Sequence, residues 1–176
     1  MKSIVLAFNL LFFVTIIANA QEKCIFKDMY KSKKEYLNTK LDNNWEFKNL
    51  VVLAKKQSFK NYVKIKSIYP EIDLSKLDSF IILDSYDVEQ GNYIFKMIVN
   101  KDVYINNNGE INKSNINDIK NRIAKDLIDN VNNWNVILEK NENTRLIDDV
   151  ICFAVLLEKE NSDWNISQLI AFDNYN

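Results

Sequence analysis

Apolar positions along this chain shift between a helical and an alternating rhythm, and the shifts mark out its elements. Ile25, Phe26, Met29, Tyr30, Leu37 and Leu41 recur at helical spacing, with Lys27, Lys31, Lys34 and Glu35 filling the other side. That pattern predicts an amphipathic helix over 25–41. From Trp45 to Tyr69 the apolar residues are dense enough to fit either period. Leu50-Val51-Val52-Leu53-Ala54 reads as strand or buried helix, whereas Phe59, Tyr62 and Val63 favour helix, so the segment is read as mostly helical. Pro70 ends it, because a proline ring disfavours helical geometry in the residue before it.

After Leu77 the rhythm changes. Residues 79–87 and 93–99 are rich in Ile, Phe, Tyr and Val and flank Glu89-Gln90-Gly91-Asn92, which predicts two antiparallel strands. Residues 101–107 and 110–112 flank Asn108-Gly109, the strongest local turn signal, because Asn-Gly tolerates the positive φ of a type I′ turn. Ile116, Ile119, Ile123, Leu127, Val131 and Trp134 then return to helical spacing, with Ser114 or Asn115 as the cap. Residues 150–158 are apolar on both faces, as in a central strand. Trp164, Ile166, Gln168, Ile170 and Phe172 alternate along a last strand, joined through a hairpin at 159–163. The order predicts an α+β fold, an antiparallel sheet of about five or six strands with two or three helices packed on one face. A curved sheet wrapped around a helix, as in cystatin-like or NTF2-like folds, buries the same stripes, an analogy of architecture alone.

The first twenty residues have a different character. Lys2, an apolar run from Ile4 to Ile17 broken by Asn9 and Thr15, and then Ala18-Asn19-Ala20 form the pattern of a secretory signal peptide over 1–20. The mature chain is expected to begin at Gln21 and to form a single α+β domain over 21–176, secreted or periplasmic. An uncleaved anchor would call for a longer apolar run and a stronger basic flank. A lipid anchor on Cys24 would need small residues before the cysteine, where Gln21-Glu22-Lys23 stand. No later apolar run reaches spanning length, so no transmembrane segment is expected after cleavage.

Composition narrows the function classes. Hydrophobic residues make up 47% of the chain and charged residues 27%, which suits a folded domain and excludes a disordered one. Two Gly, one Pro, no His and abundant Asn, Lys and Ile point to the codon bias of an AT-rich genome. The net charge of −1 hides an asymmetry: residues 21–70 carry 12 Lys against 5 acidic residues, and residues 71–176 carry 10 basic against 19 acidic. The two parts can simply attract one another across the fold. Alternatively Lys27, Lys31 and Lys34, with Lys33, Lys55, Lys56, Lys60, Lys64 and Lys66, form a face for an anionic envelope partner or an acidic protein. Nucleic acid is not expected, because residues 21–70 contain no Arg. Cys24 and Cys152 are the only cysteines, and export makes a Cys24–Cys152 disulfide plausible beside the simpler reading of Cys152 as a core thiol.

Candidate chemistry is sparse. The absence of His excludes Ser-His-Asp and Cys-His catalysis and His-containing zinc sites, and two cysteines cannot make a thiolate zinc site. Two glycines exclude the Gly-rich phosphate loops. Aligning Gly109 with the EF-hand glycine puts Tyr104 and Asn115 where carboxylates belong, so Asn106-Asn107-Asn108-Gly109-Glu110 is read as a turn. No cofactor or metal site is expected. Paired carboxylates are the one catalytic option: Asp84, Asp87 and Glu89 at a strand end, or Asp148-Asp149 before the central strand. Asp84 shares strand parity with Phe80 and Ile82, and if buried it needs a partner such as a lysine or backbone amides. Trp134 and Trp164 continue buried stripes, leaving Trp45 as the candidate exposed aromatic. Asn112-Lys113-Ser114 and Asn165-Ile166-Ser167 match glycosylation sequons, a pattern that Asn-rich chains produce by chance. The sequence therefore favours an exported, non-catalytic binding protein. The alternatives are a carboxylate-dependent hydrolase of envelope polysaccharide and an immunity or inhibitor protein against an exported toxin.

Overall fold

The alternating segments assemble into a six-stranded antiparallel sheet in the computed structural model, which describes residues 20–36, 38–39, 45–87, 93–107, 109–118, 122–134 and 150–173. Helix α1 covers 20–36 and α2 covers Trp45–Ile68. The strands are β1 (Ser79–Asp87), β2 (Tyr93–Val99), β3 (Asp102–Asn107), β4 (Glu110–Asn115), β5 (Val150–Glu160) and β6 (Asp163–Asp173). Their spatial order is β4-β3-β2-β1-β5-β6, so β1 sits inside the sheet between β2 and β5. The protein is α+β, as the sequence pattern predicts. Among the described residues no helix is long and apolar enough to cross a membrane.

The ambiguous segment after Trp45 is helical, and Pro70 follows its last turn, where Tyr69 N–H still bonds the Ile65 carbonyl at 2.8 Å. The predicted helix over 25–41 is already helical at residue 20, while Leu37 and Leu41 lie outside the described residues. Gly109 adopts φ +99°, and its N–H bonds the Asn106 carboxamide oxygen at 2.9 Å. Only glycine takes that conformation at little cost. The β5–β6 connection is tighter than expected, two residues, Asn161 and Ser162, at φ 51° and 75°.

Two expectations need correction. The stripe from Ile116 to Trp134 is not one long helix: Ile116–Asp118 is a 3₁₀ turn, α3 spans Arg122–Asp129, and residues 130–134 are turns. Trp134 still reaches the core because its indole N–H bonds the Leu127 carbonyl at 2.9 Å and its backbone N–H bonds Gln168 Oε1 at 2.6 Å. The alternation along β6 also breaks. The register shifts between Leu156 and Leu157, so Ile166 pairs with Leu157 and Gln168 with Leu156. A bulge of this kind moves side chains to the other face. Trp164 and Ile166 therefore join one core and Ile170 the other.

The sheet has two covered faces. On the first, Phe80, Ile82, Phe95, Met97, Val155 and Leu157 meet Ile25, Phe26 and Met29 of α1 and Tyr62 and Ile65 of α2. On the second, Ile81, Leu83, Ile98, Ala154 and Leu156 meet Leu127 of α3, Ile116 and Trp134. Two helices thus pack on one face, and α3 lies opposite with Ile116 and Trp134.

Candidate functional site

Among the described residues six polar or charged ones are buried: Glu22, Lys33, Ser58, Asn61, Asp84 and Asn106. All belong to the layer between the α1–α2 pair and the sheet. Their placement follows from periodicity. Glu22 and Lys33 stand on the same side of α1 as Ile25, Phe26 and Met29, and Asp84 shares a strand face with Phe80 and Ile82. The elements that bury the apolar stripe therefore bury these residues as well.

Lys33 and Asp84 meet at the centre of this layer. Lys33 is 2% exposed and Asp84 0%, and Lys33 Nζ contacts Asp84 Oδ2 directly. The other carboxylate oxygen, Oδ1, accepts a hydrogen bond from Tyr93 Oη at 2.7 Å. Tyr93 Oη in turn lies 2.9 Å from Ser58 Oγ of α2. Aromatic rings close the site: Lys33 Nζ lies 5.5 Å from the centroid of Phe153, and Tyr86 stacks beside both Tyr93 and Phe153, at 5.0 and 6.1 Å. Loss of water lowers the Lys33 pKa from 10.5 to about 7, and the same burial holds Tyr93 well above the usual phenol value.

Two satellite networks flank the pair. Glu22 Oε1 accepts bonds from Tyr62 Oη and Lys66 Nζ, both at 2.6 Å, and burial, with the Glu22 carboxylate second, raises the Tyr62 pKa. Asn106 Nδ2 donates to Asn61 Oδ1 at 2.9 Å, joining the β3–β4 hairpin to α2. These contacts satisfy groups whose burial would otherwise be costly.

The sequence-derived candidates separate accordingly. Asp84 is buried with a lysine partner. Asp87 closes β1, and its side chain, like Glu89 and Asp148-Asp149, lies outside the described residues. Lys27, Lys31 and Lys34 are exposed on α1, with Lys31 3.8 Å from Glu35. Lys60 and Lys64 are exposed on α2. Lys33 and Lys66 must be removed from the proposed basic face, because Asp84 and Glu22 draw them inward. The side chains of Lys55, Lys56 and Trp45 lie outside the described residues. Trp134 is buried and Trp164 packs edge-on against Phe80 at 4.9 Å, both in the core.

The Cys24–Cys152 disulfide is also corrected. Cys24 is exposed on α1, over the first sheet face, whereas Cys152 has the strand parity of Ala154 and Leu156 and faces the second. The sheet separates the two sulfurs, and no bond joins them. Cys152 Sγ instead lies 3.0 Å from Ser85 Oγ on the neighbouring strand.

Sequence reasoning missed Tyr93, Ser58, Asn61 and Asn106, whose roles depend on neighbours distant in the chain. Lys33 carried a signal: it falls on the apolar stripe of α1, seven residues after Phe26 and four after Met29. A groove of about 680 Å³ opens between α1 and α2. Phe26, Phe59 and Cys24 line it together with Lys23, Lys27 and Lys60. Comparison with known protein families, with curated proteins and with solved structures gives no match.

Proposed function

We propose that this protein is an exported, non-catalytic binding protein that presents the outer face of α1 and α2 to an acidic partner protein. The observation that supports it is convergence: Lys23 and Lys27 from one helix and Lys60 from the other surround one groove with a Phe26–Phe59 floor. Lys31 and Lys34 extend the positive face along α1. A positive surface around an apolar cleft suits an acidic segment with an apolar anchor, because charge guides approach and the anchor provides burial. A hydrolase would need a carboxyl that a polysaccharide can reach, and that carboxyl would have to be one other than Asp84, which has no exposed surface.

The test is retention of a stoichiometric partner from an envelope extract at low and moderate salt, using wild type and the Lys27→Glu, Lys31→Glu, Lys34→Glu variant. The expected result is capture by wild type that weakens as salt rises, since exposed charges are screened over about 10 Å at 0.1 M. The variant should lose capture while melting like wild type, because exposed positions carry little stability. Equal capture by both proteins would remove the basic face from the interaction.

A further inference from the structure

We propose that Lys33 and Asp84 join covalently, forming an amide between Nζ and Cγ that ties α1 to β1 as a permanent internal cross-link. The two groups lie 51 positions apart in the chain, yet the fold holds them in contact and shields both from solvent. Contact in a fixed geometry replaces a bimolecular encounter, an advantage equivalent to effective molarities of roughly 10⁵–10⁸ M in well-oriented systems.

The surroundings supply the remaining requirements. An ammonium ion cannot attack a carboxyl carbon, and a carboxylate resists attack, so both groups must be uncharged. Burial favours that form of the pair, and desolvation brings the amine within reach of its neutral state near pH 7. The Phe153 ring beside Nζ and the Tyr86 ring beyond it keep the neighbourhood apolar. Tyr93 Oη donates to Oδ1, the oxygen that gathers negative charge as the carbon becomes tetrahedral. A preorganised donor at that atom stabilises the intermediate. The Nζ lone pair forms the new bond to Cγ, and Oδ2, the oxygen that touches Nζ, departs. It leaves as water, carrying the carboxyl proton and one proton from the amine. Oδ1 remains as the amide carbonyl, and no oxidant, metal or nucleotide is consumed. The product replaces two costly buried ionisable groups with a neutral amide whose oxygen keeps the Tyr93 hydrogen bond.

The experiment is mass spectrometry of the denatured wild-type protein, intact and after trypsin digestion. The expected intact mass is one water below that of the processed chain. The digest should contain a branched peptide joining the segment around Lys33 to that around Asp84, with no cleavage after Lys33. Asp84→Asn should form the same link with loss of ammonia in place of water, and Lys33→Arg should give an unlinked chain of full mass. The branched peptide locates the link independently of water loss elsewhere, so failure of a variant to fold leaves the wild-type result decisive. A wild-type chain of full mass that trypsin cleaves after Lys33 would overturn the proposal and leave a buried ion pair.

Discussion

At the scale of single residues, the useful anomalies were charges in apolar company. Asp84 stands inside an apolar strand and Lys33 on the buried stripe of a helix, and each position alone would be expensive. Together they resolve one another: strand parity made Asp84 legible as a carboxylate that needs a partner if buried, while the identity of that partner was not legible. Strand parity comes from local geometry, but pairing with a lysine 51 residues away depends on how the helix lands on the sheet. Asp73 shows a purely local device. Its carboxylate accepts from Ser75 N–H at 3.0 Å and Ser75 Oγ at 2.7 Å, capping the 3₁₀ turn Leu74–Lys76. The Ser75 hydroxyl is the main cause of a pKa below 3.8, with smaller help from Lys66 and Lys76. A depressed carboxylate contributes its stability above the unfolded-state value and loses it as pH falls through the folded one. Asp73→Ala should therefore lower stability by about 1 kcal/mol at pH 7. Urea unfolding measured downward from pH 4 should show that difference shrinking as the wild-type carboxyl protonates.

At the scale of elements, hydrophobic rhythm and turn residues together located the described strands, because repeated burial on one side leaves its period in the sequence, whereas the segment that forms α2 fitted either period. It was less reliable where the same spacing served a different path. Ile116, Leu127 and Trp134 all reach the second core, but through a 3₁₀ turn, a short helix and a turn that Gln168 pins. The β6 bulge is similar: alternation from Trp164 to Phe172 looked continuous, yet the register shift divides it between two cores. The β5–β6 turn offers a test at this scale. Asn161 and Ser162 both have positive φ, which asparagine tolerates and serine does not favour. Ser162→Gly should raise the unfolding free energy by roughly 0.5–1 kcal/mol, since glycine meets no Cβ penalty there. A thermal melt displaced downward would show that the turn does not need this backbone geometry.

At the scale of the whole molecule, the sheet works as a partition. Its first face carries the buried polar networks and the basic helix pair, while its second carries an apolar core under Trp134. The same partition keeps Cys24 from Cys152, so in native protein a thiol reagent should label Cys24 rapidly and Cys152 only on unfolding. Reductant should leave the melting temperature unchanged, and a large fall would reveal a cross-link between the two. The charge asymmetry has one direct contact across it. Among the described residues Lys33–Asp84 is the ion pair that joins the basic and acidic parts of the chain, while Lys31–Glu35, Lys66–Glu22 and Lys113–Asp102 each stay within one part. The sequence by itself determined the fold class and the strands, and marked Asp84 as a carboxylate that needs a partner if buried, because these depend on local backbone preference and the periodicity of burial. Only the tertiary structure decided which lysine turns inward, which sheet face each cysteine occupies, and which lysines gather around one groove. Those outcomes depend on how elements distant in sequence pack, and neither a local preference nor a period carries that information.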